Sequence, residues 1–573
     1  MTDDKKTINK TWVWLCAMFL LAIILRLTYL WQVHDSPLLL YPGLDPQAYD
    51  QWARKIADGN WLGDGVFYQS PLYPYYLGIF YYAFGRHLVW VYLSQILIGS
   101  IDCLIIYGIG NKIYGRRAGL LAGFLAAAYK PFIFYDSVLL KTFLEVFLID
   151  LSILLTLAAA QDGKKRTGFI AGLVLGLGTL ARDNFLVLVF WFAPWLFRRL
   201  RKQGKSGHAI YFVVGFALVI AVCASRNLAV GRDLVLTTSQ GGQNFFIGNH
   251  RGNLTGTYFA PDFVIANPFF EEADFYKEAI RRTGRMAMRP SAVSNFWFKE
   301  TLKEIRADRK LFWERMGLKL LLFWNQKEIA DNESIYLMKK EFSSLLRMPL
   351  PGFGLIAPFG LLGLMLALQK KKGILLAGYV FIYWVSVSAF FVFARYRLAV
   401  AGPLLVLAGF GLENIYFWVK DKKYQQLAAG LFMLAVFSPI VWWPLIHETL
   451  DYAYYNLGNS YARAGKYKQA VTAYDKAISE NSRQVDFWIN RGKAKEYTGD
   501  NRGALSDYLA AAQLEPQKAG AHSNLGIILY KLGDFEASKT ELKTALGLDP
   551  ELKEAKIYLQ MLEQKLKNAG GPK

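Results

Sequence analysis

Four residues have types suited to moving a group off a phosphate: Asp45, Arg182, Arg395 and Arg397. A group carried on a phosphate already has a good leaving group, so no general acid is needed. The barrier falls when a carboxylate takes the proton of the attacking hydroxyl and cations meet the charge on the departing phosphate. Asp45 suits the first role and the arginines the second, because a guanidinium grips phosphate bidentately while a lysine such as Lys130 acts as a point charge. Plainer readings stand beside these. Asp45-Pro46 also fits a helix N-cap followed by a first-turn proline, and arginines at a membrane rim can snorkel to lipid headgroups. Lys141 and Glu145, four apart, read as a structural ion pair.

The elements that must position these residues follow from composition. Of 573 residues, 54% are hydrophobic and only 19% charged, against about a quarter charged in soluble proteins. That balance excludes a purely cytosolic enzyme, and it excludes disorder. The net charge of +21 lies largely in short Lys/Arg runs between apolar stretches, which argues for membrane topology and against nucleic acid. Cys16, Cys103 and Cys223 fall inside apolar segments and are too scattered for a disulfide framework or zinc site. Residues 11–31 are too long for a cleavable signal and read as a first span after Lys5, Lys6 and Lys10.

A span needs about 20 mainly apolar residues. Eleven are expected, at 12–31, 88–110, 118–135, 138–160, 167–181, 185–197, 209–228, 353–368, 373–394, 398–418 and 424–446. Cationic runs such as Arg116/Arg117, Lys164–Arg166, Arg198–Lys205, Lys370–Lys372 and Lys420–Lys423 mark every second connection. The positive-inside rule places those in the cytoplasm. The connections 32–87, 136–137, 182–184, 229–352 and 395–397 then face outward, together with everything after the last span. Long outward loops on a rigid scaffold are where function concentrates, so 32–87 and 229–352 are expected to carry the site.

From residue 451 the composition shifts and a 34-residue period appears over 451–484, 485–518 and 519–552. Small residues recur at Gly458, Gly492 and Gly526, with aromatics at Tyr474 and Tyr508. The pattern resembles tetratricopeptide repeats, with 553–568 as a capping helix. The expected domains are 1–450, 451–568 and a tail at 569–573.

Gly43-Leu44-Asp45-Pro46-Gln47-Ala48-Tyr49, then Ser70-Pro71-Leu72-Tyr73-Pro74, resemble the GT-C superfamily of membrane glycosyltransferases, in its protein-mannosyltransferase-like branch (glycosyltransferase family 39). Gly176 to Asn184, Arg226-Asn227, Gly241 to Phe245, Gly248-Asn249 and Arg395-Tyr396-Arg397 extend the likeness over residues 1–446. The chain departs from the family pattern at Pro46 and at Gln69-Ser70. The resemblance implies an all-α, GT-C-like helical membrane bundle followed by a tetratricopeptide α-solenoid. It implies Asp45 as catalytic base, Asp136 as a second acid for acceptor or metal contact, and Tyr49, Tyr73, Arg182, Arg395 and Arg397 at the substrate. A divalent cation is a possible cofactor, with no ligand set assigned.

The expected activity is transfer of a monosaccharide from a polyprenyl-phosphate donor to an acceptor on the extracytoplasmic face of a bacterial inner membrane. The acceptor would be a protein or a glycan, recruited by the repeats. The competing reading is a non-catalytic membrane anchor presenting the repeats as a scaffold for a cell-envelope complex. A transporter would need paired inverted halves, and no such internal repeat is evident.

Overall fold

The computed structural model describes residues 2–569, with side chains from 11 to 567; the side chains of Lys5, Lys6 and Lys10 and residues 570–573 of the expected tail lie outside that description. The described residues form α-helices and short 3-10 turns, with no strand. They divide into two units. One runs up to His34 and continues over Leu44–His447; the other joins Asp35–Gly43 to the chain from Glu448 onward. The segment 35–43, expected within the membrane part, is therefore folded with the repeats.

In the first unit, six helices are long and apolar enough to cross a membrane: Thr11–Val33, Leu88–Tyr114, Thr142–Asp162, Ser206–Gly231, Ala394–Lys420 and Tyr424–Trp442. The other five expected spans are shorter helices. Phe353–Gln369 and Lys165–Ala181 have 17 residues each, Ile374–Ser388 has 15, and Arg116–Ala128 and Val189–Arg201 have 13. The expected span 118–135 is interrupted at Tyr129, which is extended, with Pro131 in the first turn of the next helix, Lys130–Tyr135. A proline there cannot continue the preceding ladder. Length alone thus assigns six crossings; the shorter helices would need a locally thinned bilayer or shielding by neighbours.

Small residues set the packing, as expected where lipid supplies no hydrophobic drive between helices. A Cβ on Gly172 would strike the carbonyl of Phe212, and one on Gly363 the carbonyl of Leu407. These contacts draw Lys165–Ala181 against Ile210–Gly231, and Phe353–Gln369 against Ala401–Lys420. Segment 229–352 folds as helices Gly241–Asn249, Glu271–Thr283, Pro290–Ala307, Arg309–Trp324 and Ile335–Glu341. Its own core holds Phe246, Ile247, Phe275 and Trp297, together with Phe391 and Phe393 from just before Arg395.

The second unit contains three helix pairs beginning at Asp451, Val485 and Ala519, then Lys553–Ala569. Gly458, Gly492 and Gly526 let Tyr474, Tyr508 and Leu542 close on the partner helix. The last helix buries Ala555 and Leu562 over Leu542 and Ala545, covering the open end of the array.

Candidate active site

Helix Leu44–Ala57 presents Asp45 in its first turn, after Leu44 at a φ of 53°. The Asp45 carboxylate turns outward from its own helix. Its Oδ2 lies 2.8 Å from Arg395 Nη2 and accepts Asn332 Nδ2 at 3.1 Å, while the Asp45 amide donates to Asn332 Oδ1 at 3.1 Å. One carboxamide thus holds both the main chain and the side chain of Asp45. Arg395 also pairs with Asp331, whose carboxylate accepts from Asn332 as well. Burial pushes the Asp331 carboxyl up to about 6, with Asp45 and Glu271 adding to the rise against Arg395.

Arg395 is 7% exposed, yet its Nε and Nη1 have no hydrogen-bond partner. Buried guanidinium nitrogens are ordinarily satisfied. Two open donors beside an acid make this the feature of the site that most calls for a ligand.

Tyr396 links this cluster to a second one. Its ring lies under Arg395, at 5.1 Å, and under Arg182, at 4.5 Å. Arg182 Nε reaches Glu145 at 2.7 Å, and Glu145 lies 3.7 Å from Lys141. Lys141 donates to Ser70 Oγ at 3.0 Å; Asp183 accepts from Ser70 and from Thr238. The Ser70-Pro71 segment and the Arg182 turn are therefore joined. Asn227 fastens the approach, holding Phe67 N and the carbonyls of Val235 and Thr237.

Of the residues expected from sequence, Asp45, Arg395 and Arg182 come together through Tyr396. Tyr49 is buried and meets Tyr73 edge-on at 5.5 Å. Tyr73 donates to Gln95, which holds the carbonyls of Asp136 and Val138. The Asp136 carboxylate itself is directed elsewhere, to Arg26 Nε at 2.6 Å. Arg397 is held by Glu328 at 3.0 Å and by the carbonyls of Asn325 and Lys327, over the ring of Phe353. Asn253 and Asn332 are buried, and their amides are engaged: Asn253 binds the carbonyls of Ile247 and Thr257, and Asn332 binds Asp45.

Sequence reasoning missed Asp331, Asn332, Tyr396 as the bridge, and Arg26. It missed Glu271 too, whose carboxylate accepts both Tyr68 and Tyr258. No spacing rule links residue 45 to 331–332, so nothing local could have found that contact. Among the described residues no group of three His, Cys, Asp or Glu side chains could hold a metal ion. Asp45 and Asp331 converge on a guanidinium instead, so the residues present do not form a divalent-cation set.

Residues 68–225 match the family model described as dolichyl-phosphate-mannose-protein mannosyltransferase. Residues 452–483 and 489–552 match tetratricopeptide repeat models. Curated relatives match about a fifth of the chain. "Tetratricopeptide repeat protein 16" of Homo sapiens is 28% identical over 116 residues, 19% of this chain and 13% of its own length. "Small glutamine-rich tetratricopeptide repeat-containing protein 2" of Mycosarcoma maydis is 27% identical over 112 residues, 20% of this chain and 32% of its own. The chain thus spans a third or less of these relatives. A solved structure, the first tetratricopeptide domain of Spaghetti (RPAP3) bound to an HSP90 peptide, is 27% identical. It covers 20% of this chain and 92% of its own, with a TM-score of 0.20. Residues 68–225 are thus similar to the protein-mannosyltransferase family, and they precede a C-terminal array of tetratricopeptide repeats.

Proposed function

We propose that this integral membrane protein transfers a monosaccharide from a polyprenyl-phosphate-linked donor to an acceptor hydroxyl on the extracytoplasmic face of a bacterial inner membrane. The acceptor, a protein or a glycan, is brought by the repeats. Asp45 takes the proton of the acceptor hydroxyl as its oxygen bonds to the anomeric carbon. The bond from that carbon to the phosphate oxygen breaks, and the polyprenyl phosphate leaves with the electron pair. Arg395 meets the charge on the leaving group through Nε and Nη1, and Arg182 adds a second cation across Tyr396. Tyr49 and Tyr73, buried and packed edge-on, back the helix that carries Asp45. Asp136 acts at one remove, holding its turn through Arg26, and Arg397 anchors the helix start beside Arg395.

The observation that carries this reading is the contact of Asp45 with Arg395 at 2.8 Å, together with the two unpartnered buried nitrogens of that same guanidinium. A phosphate on those nitrogens would draw Arg395 off Asp45 and leave the carboxylate open to the acceptor proton. The test is release of labelled mannose from polyprenyl-phosphate mannose by the full-length protein in nanodiscs. Asp45→Asn is expected to lower it about a thousandfold with folding intact. Unchanged turnover would remove the base assignment, and no release by the parent protein would put the anchor-and-scaffold reading in its place.

A further inference from the structure

A cavity of about 440 Å³ lies at the end of the membrane-length helix Ser206–Gly231, within the range of about 300–1,000 Å³ usual for ligand sites. One wall is the segment that follows this helix, with Leu234, Val235 and Thr238. Asn227, in the last turns of the helix, folds the segment back by donating to the carbonyls of Val235 and Thr237, both at 3.0 Å. The facing wall is one side of helix Pro290–Ala307, where Ser291, Ser294 and Phe298 are spaced three and four apart. Two glycines stand between the walls and differ in what surrounds them. A Cβ on Gly242 would strike the carbonyl of Ser294, so the walls close there. A Cβ on Gly241 would meet nothing nearer than Ser294 Oγ at 4.0 Å, so the space beside it is open.

The polar groups of these walls are largely spent on the protein itself. Thr238 donates to Asp183 at 2.9 Å, Ser291 donates through N and Oγ to Asp233 at 2.8 and 2.7 Å, and Ser294 Oγ accepts Gly242 N at 2.9 Å. What stays open is apolar: Leu234 is 66% and Phe298 45% exposed. A sugar or a peptide would bring polar groups that these walls leave unpaired, at a cost. A hydrocarbon chain brings none and gains from leaving water. The exposed Val222 and Leu228 of helix Ser206–Gly231 lead to the exposed Leu234 and Leu236, so apolar surface runs from the span to the cavity. The remaining buried polar capacity is at the Thr238 end, where Ser239 Oγ has no partner. Through Thr238 that end is one hydrogen bond from Asp183, the neighbour of Arg182.

We propose that this cavity receives the hydrocarbon chain of the lipid phosphate, with its head group towards Arg182 and its chain running past Thr238 between Gly241 and Phe298. This rests on the proposed use of a lipid phosphate at Arg182 and Arg395. Apolar contact away from the reacting carbon acts alike on the bound donor and on the transition state, so it governs donor affinity and leaves proton transfer untouched.

The experiment uses the full-length protein in nanodiscs and two photoreactive lipids: a polyprenyl phosphate with a diazirine on its chain near the phosphate, and a phosphatidylglycerol with the diazirine on an acyl chain. Gly241→Leu, whose side chain enters the open space, is compared with the parent. Labelling of residues 234–242 and 291–298 by the polyprenyl probe is expected to fall about tenfold in the variant, and KM for polyprenyl-phosphate mannose to rise about tenfold at constant kcat, the scale of two methylenes withdrawn from apolar contact. Labelling along 210–228 stays unchanged. Asn295→Glu, which sets a charge at an exposed position of the wall, carries the same expectation and decides alone if Gly241→Leu does not fold. Absence of polyprenyl labelling from both segments of the parent, or equal labelling there by the phosphatidylglycerol probe, would overturn the proposal. Polyprenyl labelling that the variants block, in a protein whose parent form releases no mannose, supports the chain site and sinks the enzymatic reading, so the two failures are distinct.

Discussion

Two acid–arginine pairs in the membrane unit look alike and differ in what remains of the guanidinium. Asp136 and Arg26 meet at 2.6 Å, and Arg26, fully buried, also donates to the carbonyls of Ala22 and Ala127 and contacts Cys103. Asp45 and Arg395 meet at 2.8 Å, and Arg395 keeps two buried nitrogens unpartnered. A guanidinium with its donors engaged can only hold structure. One with open donors beside a carboxylate can hold structure and also bind an anion. The residue pair alone does not reveal which is which; the remaining hydrogen-bond capacity does.

The comparison predicts opposite phenotypes. Asp45→Asn should lower mannose release about a thousandfold, the scale of a lost general base, with an unchanged thermal unfolding profile. Equal loss of stability would place Asp45 in the same class as Asp136. Arg26→Met should leave Asp136 buried and uncompensated, costing on the order of 3–5 kcal/mol of stability. Arg26→Met combined with Asp136→Asn should recover most of it, as read by thermal shift of the solubilised protein. Arg395→Lys should lower kcat about a hundredfold, the scale of a lost transition-state donor, because one ammonium cannot serve Asp45 and a phosphate together.

Glu333, a half-buried residue whose Oε2 is shielded from solvent, supplies the contrast of an acid with no cation on it. Its Oε2 has no hydrogen-bond partner, and burial pushes its carboxyl up to about 8. The folded protein therefore holds this proton up to pH 8, whereas an unfolded carboxyl of this type releases it near pH 4.5. Within that window the native state binds more protons, so stability falls as pH rises, at about 1.4 kcal/mol per pH unit at most. Glu333→Gln should flatten the dependence of the melting temperature on pH between 5 and 8. An identical slope in the variant would mean that another group carries the titration.

The repeats were legible because every contact that builds them is local. Gly458 meets Tyr474 sixteen residues on, and the same step recurs at Gly492 and Tyr508, so the 34-residue period is the structure seen in one dimension. The apolar helices of the membrane part were legible in type and position, since burial of backbone in lipid demands helix. Their lengths were not: the extended Tyr129 ahead of Pro131 divides an apolar stretch that reads as one span. In the site, Asp45, Arg182 and Arg395 could be picked by residue type. Asp331 and Asn332 could not, because they sit some 290 residues from Asp45 and carry no pattern of their own.

What the amino-acid order determined, then, is everything set by neighbours along the chain: helix type, apolar stripe, repeat period, and which side chains could do acid–base or phosphate chemistry. Tertiary structure decided which of those side chains meet, and which of them are already satisfied when they do. It gave Arg26 four partners and left Arg395 with open nitrogens. The physical reason is that a buried polar group takes its partners from whatever backbone and side chains are folded around it. That set is assembled from distant segments and has no period for a sequence to display.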